Sequence, residues 1–289
     1  MGFVIIFLCA FFSCAKVTAQ GRLARQSFKN TDDAMPANCL IFALTALMFS
    51  VSLAKGVNIN VIRYSVFFGV LSASFQVFYA MALKTGPFSI TCMLINLGMI
   101  VPSVFSIAFL GEKLTVMKVI GFILCVASIS LSTKGSDEKI NVRWLFYVFL
   151  AFFSTGGNSV VQKLFAKSEL GGDLSQFIFW GYLIAFLLTL IFVTVKKIQK
   201  RETHFKVDRN NIILIITVVV CLGAFQYFFT TANIFTDAIV LNPSVGGLST
   251  IFSLLSGRLI FGEKLTARQL LSIYIGIAAI VFISLYKHV

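Results

Sequence analysis

The chain is a succession of long apolar runs parted by short polar links. Ten runs are long enough to cross a bilayer as helices, which takes about 20 residues each. They lie near 2–20, 37–54, 62–83, 87–110, 115–133, 143–163, 174–195, 211–233, 238–261 and 267–286. No period-two alternation marks a strand, and backbone groups in lipid must be satisfied within their own segment, so each run is predicted as a helix. Charge collects in the links: Gly21 to Ala37, Thr133 to Asn141, and a basic stretch from Lys196 to Arg209. The first run also fits a cleaved signal peptide, with small residues from Ala15 to Ala19. It lacks a basic start, however, and its Ala10-Phe11-Phe12-Ser13 returns as Ala151-Phe152-Phe153-Ser154, so it is read as a span.

That recurrence is one of three. Gly111-Glu112-Lys113-Leu114-Thr115 returns as Gly262-Glu263-Lys264-Leu265-Thr266, and Phe75-Gln76 returns as Phe225-Gln226. The pentapeptide reads as a corner between helices. Gly111 and Gly262 suit the left-handed position that ends a helix, and Thr115 and Thr266 suit the cap of the next. Glu112 and Glu263 then precede the fifth and tenth helices, where a carboxylate opposes the positive helix end, a structural role. Three landmarks in one order, at offsets of 141, 150 and 151, describe a duplicated unit over 1–134 and 142–289. Five helices per unit send the second copy into the membrane from the opposite side. The predicted fold is therefore an all-α integral membrane protein of ten transmembrane helices, arranged as two inverted five-helix repeats, with substrate near the midplane between them.

Composition agrees with the class. Hydrophobic residues make up 58% of the chain and charged residues 12%, about half the charge of a typical soluble domain. A net charge of +13 then points to anionic lipid and membrane orientation, not to nucleic acid. The six cysteines are scattered singly and read as packing residues, with no metal or disulfide spacing. No Ser-His constellation or intramembrane carboxylate pair supports an enzyme, and no cofactor is implied.

Polar residues inside the runs carry the candidate chemistry, because in hydrocarbon they face protein or water. Helical spacing puts Gln76 and Tyr79 on one face of the third helix, and Gln226 and Thr230 on one face of the eighth. Asn96 on the fourth helix, Asn158 and Gln162 on the sixth, and Lys16 and Gln20 on the first complete the substrate-binding candidates. Amides supply both donors and acceptors, which suits a cavity for polar solutes. Interhelical hydrogen bonding is the competing role. Tyr227 and Trp180 are further aromatic candidates.

Lys16 is the basic residue well inside a run. It either attracts a carboxylate or phosphate on the substrate or snorkels to the interface. All the acids lie in links or at helix ends, so no buried proton carrier is read, and facilitated diffusion or exchange is expected. Gly157 and Gly247 are candidate bending points for gating.

The corners Phe109-Leu110-Gly111-Glu112-Lys113-Leu114-Thr115 and Phe261-Gly262-Glu263-Lys264-Leu265-Thr266, within two five-helix halves, resemble the EamA-like branch of the drug/metabolite transporter superfamily. The resemblance covers nearly the whole chain. It implies a multi-pass transporter in the cell membrane with a cavity lined mainly by helices one, three, four, six, eight and nine. Helices five and ten would be peripheral, available for homodimer contact. It also implies cytoplasmic termini, whereas Lys and Arg are denser on the opposite side and the positive-inside rule places the termini outside. The expected function is alternating-access movement of small polar organic metabolites, amino acids or related compounds, by an exporter or exchanger. An importer of a vitamin- or nucleobase-like solute, and a non-transport scaffold or receptor, are the alternatives.

Overall fold

The computed structural model describes residues 2–27, 34–85, 95, 98, 100–112, 115–132, 142–199, 208–261 and 267–285. These residues form helices and no strands. In chain order the α-helices are α1 (Gly2–Ser27), α2 (Ala34–Phe49), α3 (Ile62–Thr85), α4 (Ile100–Phe109), α5 (Val116–Ser132), α6 (Val142–Lys167), α7 (Leu174–Ile198), α8 (Arg209–Phe235), α9 (Ala238–Phe261) and α10 (Ala267–Leu285). Among the described residues, six helical stretches are long and apolar enough to cross a membrane: Val4–Leu23, Ala34–Ala54, Ile59–Tyr79, Val142–Lys167, Gly171–Ile198 and Arg209–Phe235. Much of the expected fourth span, 87–110, and the second pentapeptide, Gly262 to Thr266, lie outside the described residues.

Two helices depart from their apolar runs. The first was expected to end near residue 20, but α1 continues to Ser27. Leu23 explains the extension: it is 1% exposed and belongs to the main core, so its burial holds the polar turn around it in helical form. The second was expected to reach residue 54, but α2 stops at Phe49 and a 3-10 turn covers Ser50–Lys55. Ser50 and Ser52 donate their hydroxyls to the carbonyls of Leu47 and Phe49, a local bonding pattern that competes with the α-helix.

The helix neighbours fall into matched pairs. α1 packs on α8 and α9, and α6 packs on α3 and α4. α2 packs on α8 as α7 packs on α3, while α2 meets α7, α4 meets α9 and α5 meets α10. Moving each helix five places along the chain order carries these contacts onto one another. α1 is an integral part of this bundle, with Cys9 and Ala10 at 0% exposure.

The largest core cluster joins α1, α2, α3, α6, α7 and α8. Its centre is aromatic. Phe165 stacks on Phe177 with ring centroids 4.3 Å apart, and Phe68 meets Tyr182 edge-on at 5.6 Å. At one end of the bundle, Gln176 fastens the α2–α3 link to the start of α7. Its Oε1 accepts from the Asn58 backbone N–H at 2.9 Å and its Nε2 donates to the Gly56 carbonyl at 2.8 Å, while Asn58 Nδ2 donates to Asp173 at 2.7 Å.

Candidate functional site

The polar side chains of α6 face three different neighbours. Ser154, Asn158 and Gln162 are spaced by four and share a face. Ser154 turns its hydroxyl back onto the Leu150 carbonyl, 2.7 Å away, and is satisfied within the helix. Asn158 reaches α3, where its Nδ2 donates to Ser72 Oγ at 3.1 Å. Its Oδ1 is buried and has no partner among the described residues.

Gln162 is 3% exposed and reaches α8. Its Nε2 donates to Gln226 Oε1 at 2.8 Å, and Gln226 Nε2 donates to Tyr182 Oη on α7 at 2.8 Å. Thr230 Oγ1 lies 2.8 Å from the Gln226 carbonyl and 3.4 Å from Gln162 Oε1, two acceptors for one hydroxyl proton. The Tyr182 ring is fixed between Phe42 and Phe68, so the hydroxyl is aimed at Gln226 before any ligand arrives. Three helices are thus tied by amide and phenol groups in an otherwise apolar interior.

One residue further along α6, Lys163 is 1% exposed. Its Nζ lies 3.2 Å from Glu112 Oε1, and it donates to the carbonyls of Asn233, at 3.2 Å, and Thr236. Glu112 does more than balance this charge. Its Oε1 accepts the Ala238 N–H at 3.0 Å and its Oε2 the Ile239 N–H at 3.4 Å. These are N–H groups of the first turn of α9, which have no partner inside their own helix. The expectation that Glu112 serves the start of the fifth helix is corrected: it caps α9. The reason is the corner itself. Gly111 adopts the expected left-handed φ of 65°, and the Glu112 N–H folds back onto the Ser106 carbonyl at 3.3 Å. That turn directs the carboxylate across the bundle. The Thr115 carbonyl opens α5 by accepting the Val119 N–H at 3.1 Å.

Lys163 went unnoticed in the sequence because it stands where an apolar run gives way to polar residues. The available signal was its place next to Gln162, on a helix that continues to Lys167. Glu112 was read as a link residue, yet tertiary packing leaves it 7% exposed. A carboxylate is therefore buried beside the spans, and the ground for excluding one no longer holds.

Lys16 is half-buried on α1. Its Nζ sits 5.5 Å from the centroid of the Phe225 ring on α8. Gln20 is half-buried one turn further along α1. Gln76 is half-buried on α3, and the hydrogen bonds that join Gln162, Gln226, Thr230 and Tyr182 do not include it. Tyr79 stacks on Phe75 at 5.3 Å. Asn96 lies outside the described residues. Trp180 Nε1 is buried without a partner among the described residues, and Tyr227 is 42% exposed on the bundle surface.

The candidate bending points Gly157 and Gly247 both lie inside continuous helices. α6 runs unbroken through Gly156 and Gly157, and α9 through Pro243 and Gly247. A Cβ on Gly156 would lie 2.6 Å from Val101 Cβ and 2.9 Å from the Gly98 carbonyl. Gly156, the neighbour of the candidate Gly157, is thus a close-packing point between α6 and the fourth span, whereas a Cβ on Gly157 would meet Leu71 Cδ1 at 3.2 Å.

The model of the EamA-like transporter family matches residues 1–134 and 142–285. No curated protein sequence matches the chain. Among solved structures, one described as "Crystal structure of protein" aligns over 99% of this chain and 97% of its own length, with a TM-score of 0.76 at 15% identity. A likeness at that identity shows the fold alone.

Proposed function

The chain belongs to the EamA-like transporter family, and from that premise we propose that it moves small polar organic solutes, amino acids or related compounds, by alternating access. It is a multi-pass integral protein of the cell membrane, in a family whose members are transporters of the drug/metabolite type and not enzymes. The proposed architecture is ten crossings in two inverted repeats, 1–134 and 142–289. The matched helix neighbours support it, since inverted copies place equivalent helices in equivalent surroundings.

The observation that carries the reading is the column of polar groups along α6. It begins at Asn158 and Ser72, passes through Gln162, Gln226 and Tyr182, and ends at Lys163 and Glu112. Polar groups are costly in a membrane interior unless they face one another or water. Here they face one another, so the column is read as a passage closed at the end where Glu112 seals α9. Opening that end separates Gln162 from Gln226 and Lys163 from Glu112, and a polar solute then replaces the lost partners. Because Glu112 is engaged by Lys163 and the first N–H groups of α9, it is not left free as a proton carrier, and exchange or facilitated diffusion, in an exporter or exchanger, is the proposed mode. The α5–α10 pair is the proposed homodimer contact.

The full chain, reconstituted in proteoliposomes preloaded with a mixture of amino acids and related metabolites, tests this. Saturable counterflow of at least one labelled solute is expected. Flux that neither saturates nor responds to solute on the far side returns the chain to a scaffold or receptor role.

A further inference from the structure

Among the described residues Lys163 is buried on α6 and Lys16 is half-buried on α1, and the two are treated differently. Lys163 is neutralised by Glu112 and two backbone carbonyls. For Lys16, no carboxylate among the described residues forms an ion pair; its ammonium faces the Phe225 ring, with the Cys221 side chain one turn away on the same helix. The Lys16 ammonium is turned to a neighbouring helix. The residue lies in the middle third of α1 and crosses to a ring in the middle third of α8, the next residue being Gln226 of the polar column. A snorkelling lysine runs along its own helix toward the headgroups. This one reaches a neighbouring helix from within a stretch apolar enough to cross a membrane, where a charge is costly. A ring face offsets only part of that cost, less than a paired anion supplies.

We propose that Lys16 is the anchor for an anionic group of the cargo, a carboxylate or a phosphate, seated between α1 and α8 with Gln20 as a neutral amide on the same face. The inference rests on the transporter reading and names its substrate class. The ammonium supplies the charge and up to three N–H donors. Gln20, four residues on, shares the face of α1 and has an amide N–H to offer. The polar column then meets the uncharged part of the same solute: Asn158 Oδ1 is an open acceptor, suited to an amine or hydroxyl. A solute with an anionic head and a donor-bearing body fits both ends.

The test uses the full chain in proteoliposomes and two measurements. Counterflow is challenged with matched pairs: short monocarboxylates, dicarboxylates and amino acids against their neutral amides, and phosphomonoesters and inorganic phosphate against the parent alcohols. Thermal stabilisation of the purified protein by the same compounds is measured in parallel. Anions are expected to compete at least about tenfold better than their neutral partners, the effect of one lost charge contact of modest strength. Lys16→Gln is expected to remove that preference while leaving the unfolding temperature without ligand close to the parent's, and Lys16→Arg to keep part of it. Competition by carboxylates alone or phosphates alone identifies the head group.

Equal competition by neutral partners, or an unchanged anion preference in Lys16→Gln, overturns the inference and leaves the transporter reading intact. Anion-dependent stabilisation that requires Lys16, without flux of any solute, supports the inference and removes the transporter reading. Neither flux nor stabilisation overturns both.

Discussion

Lys163 Nζ lies 3.2 Å from Glu112 Oε1, and both side chains are 2% exposed. The contact ties the end of α6 to the corner after α4, and the same carboxylate holds the first turn of α9. Three separate parts of the chain therefore depend on one buried charge pair. Such a pair adds little to stability over an apolar substitute, but removing one partner strands the other at about 3–5 kcal/mol.

The two partners are not equivalent, and that gives a ranking. Lys163→Met leaves Glu112 with the α9 N–H groups and the positive helix end, and is the mildest change. Glu112→Gln strands the ammonium and keeps a weaker cap. Glu112→Lys sets two ammonium groups together at a helix N-terminus and is the most damaging. Thermal unfolding in detergent is expected to fall in that order. Because the cap is lost, the exchange Glu112→Lys with Lys163→Glu does not restore the parent value; full restoration would show that the pair acts through charge alone.

The glutamine bridge predicts a split between stability and transport. Interhelical hydrogen bonds in membrane proteins are worth about 0.6 kcal/mol on average and reach about 1.7. Gln226→Leu and Gln162→Leu are expected to stay within about 2 kcal/mol of the parent in unfolding free energy on that scale. Counterflow of a polar solute is expected to drop far more steeply. Parent-like counterflow in both variants would place the glutamines in structure and out of the pathway.

Packing predicts opposite fates for two glycines. A Cβ on Gly156 meets Val101 Cβ at 2.6 Å, whereas among the described residues one on Gly247 meets Cys125 Sγ alone, at 3.4 Å. Gly156→Ala overpacks the α6 contact and is expected to cost about 1–3 kcal/mol. Gly247→Ala is expected to be neutral or mildly stabilising, through improved helix propensity. Yield of monodisperse protein and unfolding temperature report both, and equal behaviour of the pair would contradict the assigned roles.

The corner has its own signature. Gly111 has φ of 65° and, among the described residues, nothing within 4 Å of where a Cβ would stand, so space is not what demands glycine there. Gly111→Ala pays only the left-handed backbone penalty, about 1–2 kcal/mol. Gly111→Asn is expected to recover much of it, since asparagine tolerates that conformation. An alanine variant as stable as the asparagine variant would argue against a backbone cause.

The helices and the turn at Gly111 were legible in the sequence because they depend on local properties: run length, apolar composition and the conformational range of glycine. The shared face of Asn158 and Gln162 was legible too, since helical spacing alone sets it. Partners were not. Gln226 was matched in sequence to Gln76, yet in space it bonds to Gln162 and Tyr182, because the crossing of α6, α7 and α8 decides which amides meet. Glu112 was assigned to the helix it precedes and Lys163 drew no reading, yet packing brings them together against α9. Sequence determined which stretches of this chain are apolar helices and which residues share a helix face. Only the tertiary structure decided which charges are buried and what neutralises them, because burial and pairing are properties of contacts between helices far apart along the chain.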